Sequence, residues 1–136
     1  MRKLFSALYS DASVSIAMLL LRLVLGLIMM VAHGFDKLKN FGTKSHSFSD
    51  PFHVGSVISF STVVFAEFFC SFLIILGLLT RLACVPLILV MSVALYTAHH
   101  AEIFGGGERA ALYLTGYLVL LLIGPGKISM DRLIGR

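Results

Sequence analysis

The chain has 136 residues, of which 58% are hydrophobic and only 13% charged. A soluble domain carries roughly 25% charged residues, so these figures argue against a soluble globular protein. They exclude disorder as well, which needs low hydrophobicity and high charge. The net charge of +4 fits basic residues flanking membrane spans better than nucleic-acid recognition, because no basic stripe is left over.

The apolar residues fall in long runs. A bilayer core takes about 20 mostly apolar residues per helix, and four segments meet that demand, at about 13–38, 54–79, 82–101 and 108–124. Together they predict an all-α fold, an integral membrane four-helix bundle occupying residues 1–136 as a single domain. Arg2 and Lys3 precede the first run, which carries Arg22 and reads as a retained helix rather than a cleaved leader. Residues 39–53 form the longest connection, rich in serine, with Gly42 and Pro51. The second run carries Glu67, and Thr80–Arg81 reads as a tight turn that makes the second and third helices antiparallel neighbours. Pro86 lies in the first turns of the third helix, where it can introduce a kink. Gly105–Gly107 break the chain before the fourth helix, and Gly124–Pro125–Gly126 stop it.

This topology puts both termini on one side, called A here. Side A holds Arg2, Lys3, Arg81, Lys127, Arg132 and Arg136, whereas side B holds Lys37, Lys39, Lys44 and Arg109. The excess predicts that side A, with both termini, is cytoplasmic.

Ionisable groups inside a bilayer are costly and need a reason. Arg22 and Glu67 are the two within the runs, and they predict an intramembrane ion pair between the first two helices. At 100° per residue, Arg22, Gly26, Met29, His33, Asp36 and Lys37 share one polar stripe. A second cluster gathers near side B. His33 lies near that end of the first helix, His99, His100 and Glu102 end the third, and Glu108 starts the fourth, where the helix dipole favours an anion. His33, His99 and Glu108 are therefore candidates to border one ligand cavity, with interfacial anchoring as the bland alternative. His99 and Glu102 are three apart, but no second such pair follows, so no metal site is expected. Cys70 and Cys84 lie inside apolar runs and read as packing. The triple glycine lacks the Gly-Lys-Ser/Thr ending of a phosphate loop.

At these residues the chain resembles the DoxX family of small bacterial membrane proteins. The resemblance rests on Leu21-Arg22-Leu23 with Gly26, on His33-Gly34-Phe35-Asp36-Lys37-Leu38, and on Ala66-Glu67. It continues through Gly77-Leu78-Leu79-Thr80-Arg81-Leu82, Gly105-Gly106-Gly107-Glu108 and Gly124-Pro125-Gly126-Lys127-Ile128-Ser129-Met130-Asp131. These motifs run in order from about residue 18 to 133. The resemblance implies a bundle in the bacterial inner membrane, and the family is similar to DoxD, a subunit of thiosulfate:quinone oxidoreductase. The implied function is a membrane subunit of a quinone-linked redox or thiol- and sulfur-handling system, with quinone as the cofactor. A redox partner protein, a homo-oligomer and the lipid bilayer are its implied partners. Whether the chain is itself an enzyme stays open, and a non-catalytic scaffold or small-solute carrier is the alternative.

Overall fold

The computed structural model describes residues 9–135, and all regular structure among them is helical. Helix α1 spans Asp11–Lys39, α2 is the single turn Phe41–Lys44, α3 spans Ser56–Leu76 and α4 spans Thr80–Thr97. Helix α5 follows at Glu108–Ile123, and α6 is the short Met130–Ile134. Helices α1, α3 and α4 have 29, 21 and 18 residues and are apolar enough to cross a membrane. Large apolar side chains point outward from them, including Leu20, Leu82 and Leu89. The protein is membrane-embedded.

Helix α1 starts where Ser10 accepts a hydrogen bond from the Ser13 N–H at 3.1 Å, with Asp11 in the first turn complementing the dipole. Its buried residues are Ser15, Met18, Arg22, Gly26, Met29 and Gly34. The first steps of that series are three or four residues, as an α-helical face requires. The last is five, because Met29–Gly34 is wound as a π-helix. Helix α3 has its own π segment at Phe65–Cys70, and the two segments lie against each other.

The two helices meet almost backbone to backbone. A Cβ on Gly34 would sit 2.6 Å from the Glu67 carbonyl oxygen, and one on Gly26 would sit 3.1 Å from that of Ser71. No side chain larger than hydrogen fits at Gly34 without moving α3. Helix α5 packs along α4, and Gly116 of α5 receives the Leu25 side chain of α1. The core gathers Met29, Cys70, Ile74, Cys84, Leu87, Tyr117 and Leu120.

The α3–α4 connection corrects the turn expected at Thr80–Arg81. The chain reverses at Gly77, with φ 68°, and Leu79, with φ 49°, while Thr80 and Arg81 already belong to α4. The turn is held from a distance. The Asp131 carboxylate accepts the N–H groups of Leu79 at 2.5 Å and Thr80 at 2.9 Å, and the Asp131 N–H donates to the Gly77 carbonyl at 2.8 Å. An aspartate 51 residues downstream thus supplies the N-cap that α4 lacks locally. Helix α4 also ends earlier than the expected residue 101. His100 and Ala101 adopt left-handed backbone, with φ 47° and 61°, so the chain leaves the helix at Thr97. Arg2, Lys3 and Arg136 of the side-A basic set lie outside the described residues.

Candidate functional site

The π segment of α1 controls what faces the bundle at side B. A π turn takes more residues than an α turn, so side chains after Met29 are rotated off the 100° line. Lys37 lies over α3, where its ammonium donates to the Glu67 carboxylate. The Glu67 side chain is 5% exposed and that of Lys37 is 22% exposed. This is a desolvated pair rather than a surface one.

The expected ion pair between Arg22 and Glu67 is not formed. Gly34 marks the level of Glu67, and Arg22 lies twelve residues earlier in α1, about 18 Å away along the axis. Arg22 is 1% exposed and its Nη2 donates to the Ile128 carbonyl at 2.5 Å. The guanidinium occupies the space that a side chain at Gly77 would fill. It completes the side-A end of the bundle, not the side-B site.

Above the Lys37–Glu67 pair is a cavity of about 240 Å³, lined by Ala32, His33, Asp36, Lys37, Lys44, Ser47, Phe48 and Phe60. Its floor and one wall come from α1. Its roof is the chain just after α1, pulled back when Lys44 donates to Asp36 at 2.6 Å and Asn40 donates to the same carboxylate at 2.8 Å. Phe48 and Phe60 form an aromatic side, their ring centroids 5.0 Å apart at 61°, and Phe41 packs on Phe60 at 5.4 Å. His33 is half-buried and stands edge-on to Tyr113 of α5, at 6.0 Å between ring centroids.

The loop behind the roof is ordered by Asp50. Its carboxylate accepts the Ser59 hydroxyl at 2.8 Å, the Gly55 N–H at 2.7 Å and the Val54 N–H at 3.1 Å. These bonds, that of Ser59 foremost, hold the Asp50 carboxyl below its ordinary value of 3.8, against a smaller opposing effect of burial.

Of the three candidate ligand residues, only His33 borders this cavity; His99 and Glu108 do not line it. His99 follows the end of α4, with Nδ1 3.0 Å from the point a Cβ on Gly106 would occupy. The triple glycine wraps that ring and returns N–H bonds from Gly105 and Gly107 to the Glu102 carbonyl, at 3.2 and 3.0 Å. Glu108 is exposed at the first position of α5. The expectation placed these groups together by depth alone. Depth does not fix the direction a side chain takes around a bundle. Lys37, Lys44, Phe48 and Phe60 were not singled out as ligand residues. Lys37 was placed on the polar stripe of the first helix without a partner, and Glu67 was paired with Arg22 instead.

The sequence model of the DoxX family matches residues 17–100. An uncharacterized protein of Haemophilus influenzae is 32% identical over 92 residues, covering 64% of this chain and 61% of that protein. The match thus spans less than two thirds of that relative's length. No solved structure matches.

Proposed function

The chain belongs to the DoxX family, and on that footing we propose that it is a membrane subunit of a quinone-linked redox system. The observation that carries the proposal is the cavity in which His33 and Lys37 meet the rings of Phe48 and Phe60 at the membrane end of α1. A ligand site of this kind combines apolar walls with a few placed polar groups. Pockets for drug-sized ligands run to about 300–1,000 Å³, so 240 Å³ suits a single ring and leaves an isoprenoid tail outside, in lipid.

The residues fit such a ring. The Lys37 ammonium has three donors and uses one toward Glu67, so it can also donate to a ring oxygen. The His33 imidazole offers either a donor or an acceptor. Glu67 neutralises Lys37 within the bilayer and keeps its ammonium aimed at the cavity floor. Lys44 is held by Asp36 but likewise keeps donors toward the cavity it lines, so His33, Lys37 and Lys44 are the groups that orient a ligand. A quinone bound there supplies the capacity to take up two electrons and two protons. The electrons come from a partner protein.

The same reading makes α5 a fourth membrane span. Its 16 residues reach about 24 Å, and its packing along α4 completes a four-helix bundle. The bundle belongs in the bacterial inner membrane with both termini on the cytoplasmic side. The excess of six basic residues on side A over four on side B in the sequence supports that orientation.

The test is binding of a short-tailed quinone analogue to the protein in nanodiscs. His33→Ala and Lys37→Gln are each expected to weaken it by roughly tenfold, the value of one lost hydrogen bond to a charged or buried group. His99→Ala is expected to leave it unchanged. Equal loss from His99→Ala, or none from Lys37→Gln, would move the site elsewhere. Solute flux through vesicles holding the protein alone would favour a carrier.

A further inference from the structure

We infer that the protein holds an anionic phospholipid at its side-A end, with the lipid phosphate seated between Lys127 and Arg132. The inference is independent of any ligand at side B. It begins with a second cavity, of about 490 Å³, whose lining includes Tyr9, Asp11, Val14, Ile123, Lys127 and Arg132. Helix α1 begins at Asp11 and α5 ends at Ile123. The cavity therefore opens where two helices leave the apolar layer, which is the depth of lipid headgroups.

Its surroundings have the two characters that a lipid needs. Ile123 lines the cavity and is exposed, as is Leu122 beside it in α5. Arg132 lines the cavity from α6, and the next residues, Leu133 and Ile134, are 79% and 70% exposed. An apolar patch rimmed by polar groups marks a contact with a membrane or a partner, and at this depth the contact is with acyl chains. Tyr9, exposed at the edge of the cavity, is of a residue type enriched at the membrane interface.

The polar side carries positive charge in excess. Lys127 donates to Asp11 at 2.5 Å and keeps two further donors. Arg132 gives one N–H to the Lys127 carbonyl at 3.5 Å, which holds the guanidinium beside Lys127. Among the described residues no carboxylate lies within ion-pair distance of it. Asp131 does not cancel these charges, because its two oxygens accept the Leu79 and Thr80 N–H groups and its charge acts on Arg22. Three cations, Arg22, Lys127 and Arg132, thus stand against two carboxylates, Asp11 and Asp131, leaving one positive charge over. A lipid phosphodiester brings one negative charge. A zwitterionic headgroup would set its own ammonium beside the same cations. The planar fork of arginine engages two phosphate oxygens at once, and basic pockets between membrane helices take anionic headgroups by this chemistry. The volume of about 490 Å³ is that of a small-ligand site and leaves the acyl chains outside, in the bilayer.

The experiment is native mass spectrometry of the protein titrated in detergent with phosphatidylglycerol and, separately, with phosphatidylcholine. The wild-type protein is expected to retain phosphatidylglycerol several-fold more than phosphatidylcholine. Arg132→Gln is expected to weaken that retention roughly tenfold, the value of a lost hydrogen bond to a charged group. Arg132→Lys is expected to keep most of it. Arg81→Gln, at a basic residue of side A outside the cavity, is expected to change nothing. Equal retention of the two lipids by the wild-type protein would overturn the inference and needs no variant. Retention indifferent to Arg132→Gln, or lost equally in Arg81→Gln, would overturn the assignment to this cavity. Displacement of phosphatidylglycerol by inorganic phosphate at the same concentration would make this a site for a free anion and would likewise overturn it.

Discussion

Two aspartates do the same chemistry at opposite ends of the protein. At side A, Asp131 accepts the N–H groups of Leu79 and Thr80 at 2.5 and 2.9 Å. At side B, Asp50 accepts those of Val54 and Gly55 at 3.1 and 2.7 Å. The first reaches across 51 and 52 residues and the second across four and five. One ties the end of the chain to the α3–α4 turn, while the other shapes a loop from within. The side-A end has further ties of this kind, with Lys127 donating to Asp11 at 2.5 Å and its N–H to the Ser15 hydroxyl at 3.3 Å. The cavity end relies on Asp36, Lys44 and Asn40, all within eight residues. The side-A end is tied across the chain and the side-B end only within it.

The largest effect is expected where the comparison meets the core. Glu67→Gln leaves the Lys37 ammonium without its anion, and breaking a buried pair costs about 3–5 kcal/mol. A double-mutant cycle on denaturant melts checks the partner. Lys37→Gln with Glu67→Gln is expected to recover at least about 1 kcal/mol, whereas Arg22→Gln with Glu67→Gln is expected to be additive, as distant sites are. Coupling of Arg22 to Glu67 would contradict the arrangement described.

Next in size is Asp131→Ala. It strands two N–H groups at the start of α4 and is expected to lower stability by roughly 2–3 kcal/mol, within the range for lost charge-assisted caps. Hydrogen exchange should then rise at residues 77–83 first. Asp50→Ala is expected to raise exchange and proteolysis only within residues 45–58 and to leave the melt nearly in place.

The smallest effect is one of pH. The Asp50 carboxyl titrates lower in the folded protein than in the unfolded chain. Its stabilisation is complete above its ordinary value of 3.8 and is lost as pH falls through the folded value. Acidification below pH 3.8 should loosen the side-B loop, and Asp50→Asn should show that looseness at neutral pH. Proteolysis across a pH series reads both.

Much of the fold was legible in the sequence. The apolar runs marked each long helix within a few residues, because membrane spans are selected on composition over a length the bilayer fixes. The break at Gly105–Gly107 and the stop at Gly124 also held. Three things were not legible. The reversal at Gly77 was displaced to Thr80–Arg81, since its cap comes from Asp131 and no local signal announces it. The π winding of Met29–Gly34 left no mark in the hydropathy pattern, nor did the depth at which α1 meets α3, with Gly34 against Glu67, which puts Lys37 rather than Arg22 within its reach. The helix ends at side B placed His33, His99 and Glu108 at similar depth, but only His33 faces the cavity. Arg22 and Glu67 did announce themselves as the costly groups; what the pattern could not supply was the partner of each.

The measurement that bears most directly on the cavity assignment is photolabelling of the lipid-embedded protein with an azido-quinone, followed by peptide mapping. The arrangement predicts label within residues 32–48 and at Phe60, competed by unlabelled quinone and lost in Lys37→Gln. Competed label concentrated at residues 98–108 instead, around His99 and Glu108, would contradict it.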